Sequence, residues 1–289
     1  MLRPALITLE MIKIQHTLFA LPFALLGALT AAGGLPGLRE ITWILVAMVG
    51  ARSAAMAFNR LVDVEIDRKN PRTSTRALPA GLVTRHFVIG FTVASCALLV
   101  IAAWQLNPLA LALSPVALII ILGYSFTKRF TALSHVFLGL ALAVAPIGAA
   151  VAVEGRIDPR MWLLAGAVLT WTAGFDVIYS LQDVEFDRSE GLHSIPSRLG
   201  AVRALAIART LHVITIALLI SFGRVYDFGL IYLAGVVAAV ILLIWQHSII
   251  SPTDLSRIDA AFFTANGVLS IVLFLFGACD ILLRTGTAG

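Results

Sequence analysis

The octets LVDVEIDR (residues 61–68) and LQDVEFDR (residues 181–188) share six of eight positions and stand 120 residues apart. The chain holds only 16 acidic residues in 289, so three in each of two matching octets is a concentration that needs a cause. Each octet directly follows an apolar run, and those runs decide the fold. A helix crosses about 30 Å of hydrocarbon with roughly 20 apolar residues, and runs of this kind recur from end to end. The chain is 60% hydrophobic and 13% charged, with a mean hydropathy of +0.96. An average soluble domain carries about 25% charged residues. The composition therefore specifies an all-α, polytopic membrane bundle. No stretch is long or polar enough to stand apart, so residues 1–289 are read as one membrane domain.

Nine spans are expected, at about 15–35, 41–60, 86–104, 108–125, 133–153, 161–182, 204–222, 228–247 and 264–283. The first, HTLFALPFALLGALTAAGG, follows Arg3 and Lys13 like the core of a signal peptide. It is long enough to span, and Glu10 interrupts its approach, so it reads as a membrane helix. QLNP at 105–108 is a tight turn between antiparallel neighbours, and Pro22, Pro115 and Pro146 lie inside spans. The net charge of +5 would point to nucleic acid in a soluble protein. Here the basic residues cluster in the connections after the second, fourth and sixth spans, which places those connections and the N-terminus in the cytoplasm and the C-terminus outside. Cys96 and Cys279 lie in apolar segments and read as buried small hydrophobes. Trp43, Trp162 and Trp171 read as interface or packing residues, and His16 as a satisfied polar side chain.

Both octets fall at the cytoplasmic ends of their spans and can face each other across one bundle. Asp63 and Asp67 are one helical turn apart, and the same face runs back through Asn59 to Arg52. In the second copy the face runs from Asp187 through Asp183 and Tyr179 or Ser180 to Asp176, while Glu65 and Glu185 point away and are expected at the surface. Facing carboxylates repel unless cations intervene. Mg²⁺ takes oxygen ligands, holds one or two carboxylates and fills its shell with substrate phosphates, so the pattern points to Mg²⁺ and a diphosphate. NPRTSTRALPAG brings Arg68, Lys69, Arg72 and Arg76 beside the first octet, and YSFTKRFT brings Lys128 and Arg129; such residues clamp diphosphate oxygens.

A single acidic octet reads as a solvated helix end. Two matched octets on one side, with Asn59 and Asp176 set deeper, read as a site, because polar groups inside a membrane are costly. Arg52 fits equally a counter-ion of Asp176 and a substrate contact, and Tyr124 and Tyr179 fit either a structural role or a substrate contact. An ion-coupled transporter is the competing class. It calls for charges near the bilayer midplane and broken helices, whereas these acids crowd the span ends.

NRLVDVEID (59–67) and YSLQDVEFD (179–187) resemble the paired N-x-x-x-D-x-x-x-D and Y-x-x-x-D-x-x-x-D motifs of the UbiA superfamily of intramembrane aromatic prenyltransferases. The resemblance extends through NPRTSTRALPAG, YSFTKRFT and GLHSIPSRLG over essentially the whole chain, with Arg60 where many members carry Asp. It implies that Asp63, Asp67, Asp183 and Asp187, assisted by Asn59, hold Mg²⁺ against a polyprenyl diphosphate. Arg68, Arg76 and Lys128 are then candidates for the diphosphate, and Arg52, Asp176 and Tyr179 for an aromatic acid acceptor. The resemblance is greatest to enzymes acting on 4-hydroxybenzoate for ubiquinone, with 1,4-dihydroxy-6-naphthoate, on the way to menaquinone, as the alternative acceptor. The partners expected are these two substrates and the lipid bilayer of a bacterial-type inner membrane. Neither nucleic acid nor a protein partner is implied.

Overall fold

The computed structural model describes residues 17–286, and all its regular elements there are helical. The nine long ones are α1 Thr17–Ala32, α2 Leu38–Val62, α3 Arg85–Leu106, α4 Pro108–Thr127, α5 Ser134–Glu154, α6 Trp162–Tyr179, α7 Ala201–Val225, α8 Leu230–Ser248 and α9 Ala265–Gly286. From α2 onward, eight are long and apolar enough to cross a membrane, and α1 contributes a shorter apolar stretch, Phe19–Ala32. His16 lies outside the described residues, as do Arg3, Glu10 and Lys13.

The helices close a ring. α2 packs on α3 and α4, α4 on α5, α5 on α6, α6 on α7, α7 on α8, α8 on α9, and α9 on α1, which crosses back to α5. Lipid tails are as apolar as leucine, so close backbone approach rather than hydrophobicity holds such helices together. A Cβ built on Gly139 of α5 would lie 2.3 Å from the Leu169 carbonyl oxygen of α6. No other residue fits there, and α5 and α6 meet backbone to backbone.

QLNP is the expected tight turn. Asn107 ends α3 and caps α4, its Oδ1 accepting from Ala110 N at 2.9 Å. Its Nδ2 also donates to the carbonyls of Val151 (2.8 Å) and Ala152 (3.1 Å) in α5. Away from that turn, Phe23 of α1, Trp171 and Phe175 of α6, and Phe262 form an aromatic core. Buried Trp171 meets its hydrogen-bond requirement by donating Nε1–H to Asn266 Oδ1 at 2.9 Å.

The structure amends two expectations here. Cys279 is exposed and Cys96 half-buried, both as free thiols. The outside of a membrane helix is as apolar as its inside, so sequence hydrophobicity cannot tell the two apart. The octets, moreover, do not extend straight helices. α2 ends at Asp63 (φ −94°, ψ 5°) before a short helix, Val64–Lys69. α6 passes through a 3₁₀ turn, Ser180–Asp183, and bends at Asp183 (φ −104°, ψ 6°) into Val184–Ser189. The duplication thus includes the backbone: the third residue of each octet is the bend.

Candidate active site

The bend keeps the expected face. Asp63 N–H still bonds the Asn59 carbonyl (2.9 Å) and Asp67 N–H the Asp63 carbonyl (2.7 Å), so all three side chains remain on one side. Glu65 and Glu185 are exposed, as their spacing requires. Asn59, Asp63, Asp67, Asp176, Tyr179, Asp183 and Asp187 all line one cavity of about 290 Å³, with Arg52, Arg76 and Lys128.

Asp63 is 2% exposed. Its Oδ2 accepts from Lys128 Nζ (2.6 Å) and Asn59 Nδ2 (3.1 Å), and its Oδ1 from Arg129 Nη2 (2.9 Å). Asp67 accepts from Arg76 Nη1 at 2.7 Å. Its other oxygen is buried without a hydrogen bond, with Arg60 Nη1 3.7 Å away. Arg60, the departure from the family pattern, thus adds a buried positive charge beside Asp67. Burying charges is tolerable only when they are paired, and this half is dense with pairs.

The second octet is lighter. Asp183 receives both Nε (3.0 Å) and Nη2 (2.5 Å) of Arg72, and Asn70 Nδ2 at 3.1 Å. Burial is the largest single influence on Arg72 and opposes its charge, but the hydrogen bonds and charge of Asp183, with smaller help from Tyr179 and Asp67, together outweigh it and hold the guanidinium above its ordinary pKa. Arg72 Nη1 also reaches the Tyr179 hydroxyl at 3.5 Å, and the Tyr179 ring packs on Phe262 at 4.1 Å. Asp187 accepts from Ser194 Oγ at 2.8 Å. The segment Leu192–Leu199 folds back over the site, where His193 N–H bonds the Lys128 carbonyl at 2.8 Å.

Arg68 is not brought to the cavity. After the bend at Asp63 it projects outward and pairs with exposed Glu65 at 2.7 Å, while Arg72, four residues on, takes the place beside Asp183. Arg52 is not paired with Asp176 either: Asp176 Oδ2 is bonded by His135 Nδ1 at 2.7 Å. Arg52 Nε and Nη2 are buried without partners. Sequence reasoning passed over His135 and Ser194. A histidine in the first turn of an apolar span was the available signal for His135, and the GLHSIPSRLG stretch that carries part of the resemblance was the signal for Ser194.

As they stand, no three His, Cys, Asp or Glu side chains among the described residues gather closely enough to hold a metal. The reason is visible: lysine and arginine occupy the carboxylates. The orphaned, buried Asp67 Oδ2 and the all-oxygen donor set nevertheless fit a hard cation such as Mg²⁺.

Behind the polar mouth lies an apolar chamber of about 330 Å³ between α2, α3, α4 and α5. Arg52, Tyr124, Leu138 and Leu142 line both, so the two spaces adjoin. The chamber runs on to Ile157 and Trp162 at the far end of the bundle. A charged mouth opening into an apolar pocket suits a lipid with an anionic head.

Fold and site together define an integral membrane enzyme with a charged mouth that opens into an apolar chamber. Residues 20–268 match the model of the UbiA prenyltransferase family, and the chain belongs to that family. It is 32% identical to the 4-hydroxybenzoate octaprenyltransferase of Nitrosomonas europaea, over 90% of this chain and 88% of the relative. Its backbone superposes on a UbiA homologue from Aeropyrum pernix K1 with a TM-score of 0.85 and 36% identity, covering 93% of this chain and 99% of the other. A UbiA homologue from Archaeoglobus fulgidus bound to GPP and Mg²⁺ shares the fold, with a TM-score of 0.76, 21% identity and coverage of 95% and 99%.

Proposed function

We propose that the protein transfers the prenyl group of a polyprenyl diphosphate to the ring of 4-hydroxybenzoate, with Mg²⁺ as cofactor, in the making of a membrane quinone. The observation that carries this reading is Arg52. A buried guanidinium with two unpartnered nitrogens, set where the mouth meets the apolar chamber, calls for an anion that reaches deeper than a diphosphate head. The carboxylate of an aromatic acid is such an anion, and Arg–carboxylate pairing is favourable in both charge and shape. The name borne by the Nitrosomonas europaea relative agrees with that acceptor.

Asp63, Asp67, Asp183 and Asp187, with Asn59, would hold Mg²⁺, which on binding supplies positive charge for the departing diphosphate. Arg76 and Lys128 contact the diphosphate, joined by Arg72 in the role that Arg68 is too distant to fill. Each now rests on a carboxylate and can turn to phosphate oxygens once that carboxylate binds a cation. The apolar chamber receives the prenyl tail and keeps water from the allylic cation. The basic connections support a mouth facing the cytoplasm of a bacterial inner membrane.

The test is a membrane assay with Mg²⁺ and farnesyl diphosphate, offering 4-hydroxybenzoate and 1,4-dihydroxy-6-naphthoate in competition. Mass spectrometry is expected to show prenylated hydroxybenzoate. Prenylated naphthoate would reassign the acceptor, and no product even with longer donors would overturn the reading.

A further inference from the structure

Two acids of the mouth are held by neither lysine nor arginine: Asp187, on the second octet, which accepts from Ser194 Oγ, and Asp176. Asp63, Asp67 and Asp183 each accept from lysine or arginine. Asp176 sits deeper on α6, lines the cavity, and is bonded by a histidine. The protonation of that histidine follows from its other nitrogen. His135 Nε2 stands 3.2 Å from the backbone N–H of Ile195, a group that can only donate. Nε2 must therefore be bare, because a proton there would set donor against donor. The ring's proton lies on Nδ1, and Nδ1–H donates to Asp176 Oδ2. His135 is 3% exposed, fixed in place by the α5–α6 contact at Gly139 on one side and the 192–199 segment on the other.

We propose that Asp176 is the proton acceptor of the reaction and that neutral His135 is the residue that positions it, an inference that rests on the prenyl-transfer reading above. Oδ1 of Asp176 has no hydrogen-bond partner among the described residues, which leaves its lone pairs for substrate. An acceptor held through its carboxylate by Arg52 shares its cavity with Asp176, which lines the same space. The prenyl C1–O bond breaks with its electron pair going to the diphosphate, and a π pair of the ring forms the new C–C bond. The C–H pair at that ring carbon then restores aromaticity as its proton passes to Asp176 Oδ1. Asp176 returns the proton to water through the mouth. A carboxylate held by lysine or arginine would be the weaker base for this transfer, and a neutral donor orients Asp176 without that loss.

Two isosteres separate the two bonds of His135. His135→Asn keeps an N–H where Nδ1 stands and loses the bond to Ile195; His135→Gln keeps an acceptor near Nε2 and loses the donor to Asp176. Measured relative to wild type, Asp176→Asn is expected to lower kcat about 100-fold or more. His135→Gln should lower it by about 10- to 100-fold with KM for the acceptor little changed, while His135→Asn keeps most of the turnover. The reverse ranking, with Gln active and Asn inactive, would mean that only the tether to Ile195 matters and would overturn the proposal. So would normal turnover by Asp176→Asn. Nitrogen-15 NMR of histidine-labelled protein in nanodiscs, with His135 assigned by its loss in His135→Asn, gives a readout that needs no substrate. A neutral ring protonated on Nδ1 is expected, and protonation on Nε2 overturns the dyad. A wild type inactive toward every acid acceptor would overturn the substrate reading instead, and the tautomer would still decide the dyad.

Discussion

The two acidic octets are nearly the same peptide bent at the same residue, yet they are embedded differently. Asp63 and Asp67 are almost wholly buried, with Lys128, Arg129, Arg76 and Arg60 around them. Asp183 and Asp187 are more open, held by one arginine and one asparagine from the opposite loop and by one serine hydroxyl. Nearly identical local sequence therefore carries two mechanical characters. The first octet is a fixed anchor of the bundle, and the second can rearrange at little cost. A carboxylate's contribution to stability is set by its neighbours, not by its motif.

The largest expected effect sharpens that contrast. Asp63→Asn and Asp183→Asn should each cut turnover by about 100- to 1,000-fold, the loss typical of one charge-stabilising group. Their stabilities should part company. Asp63 is buried while its partners Lys128 and Arg129 are about a third exposed, so removing it costs about 3 kcal/mol, the low end for a buried pair; Asp183 is itself more open, and its pair with Arg72 is worth about 1 kcal/mol or less. Thermal unfolding in detergent distinguishes them, and equal losses would break the comparison. Gly139→Leu comes next. Forcing α5 off α6 should cost about 1–3 kcal/mol by overpacking, and it moves His135 away from Asp176, so activity should fall further than stability does. Circular dichroism melts beside turnover would show it.

Smaller effects test the loop between the halves. Arg72→Lys keeps the charge and loses the fork, and should raise KM for the prenyl diphosphate about tenfold, or 1.4 kcal/mol. Arg68→Ala should leave that KM within about twofold, since it removes only an exposed pair. If the two variants ranked the other way, the outward course of the chain after Asp63 would be wrong.

The spans were legible because an apolar run of membrane length has few other destinations. The octets were legible because two copies at span ends leave little room for coincidence. What escaped reading depended on the direction of a turn or on which helices become neighbours. Arg68 and Arg72 belong to one basic run, and only the bend at Asp63 decides which faces the cavity. By depth Arg52 fits equally a counter-ion of Asp176 and a substrate contact, and it is His135, 41 residues from Asp176 in sequence, that decides between them by holding Asp176. Helical spacing assigns a side chain to a face; it does not say what that face meets.

One wall of the chamber behaves as a loaded beam. α4 is fastened at one end by Asn107, which joins it to α3 and α5, and at the other by Lys128 and Arg129 on Asp63. Between the fastenings Pro115 interrupts the helix, removing a backbone hydrogen bond from the ladder. Leu113, Ser114 and Val116 line the chamber there, and Ser114 Oγ donates at 2.8 Å to the Leu111 carbonyl that the proline leaves free, so the one rung of the beam without its backbone bond faces the chamber, between the charged mouth and the QLNP turn.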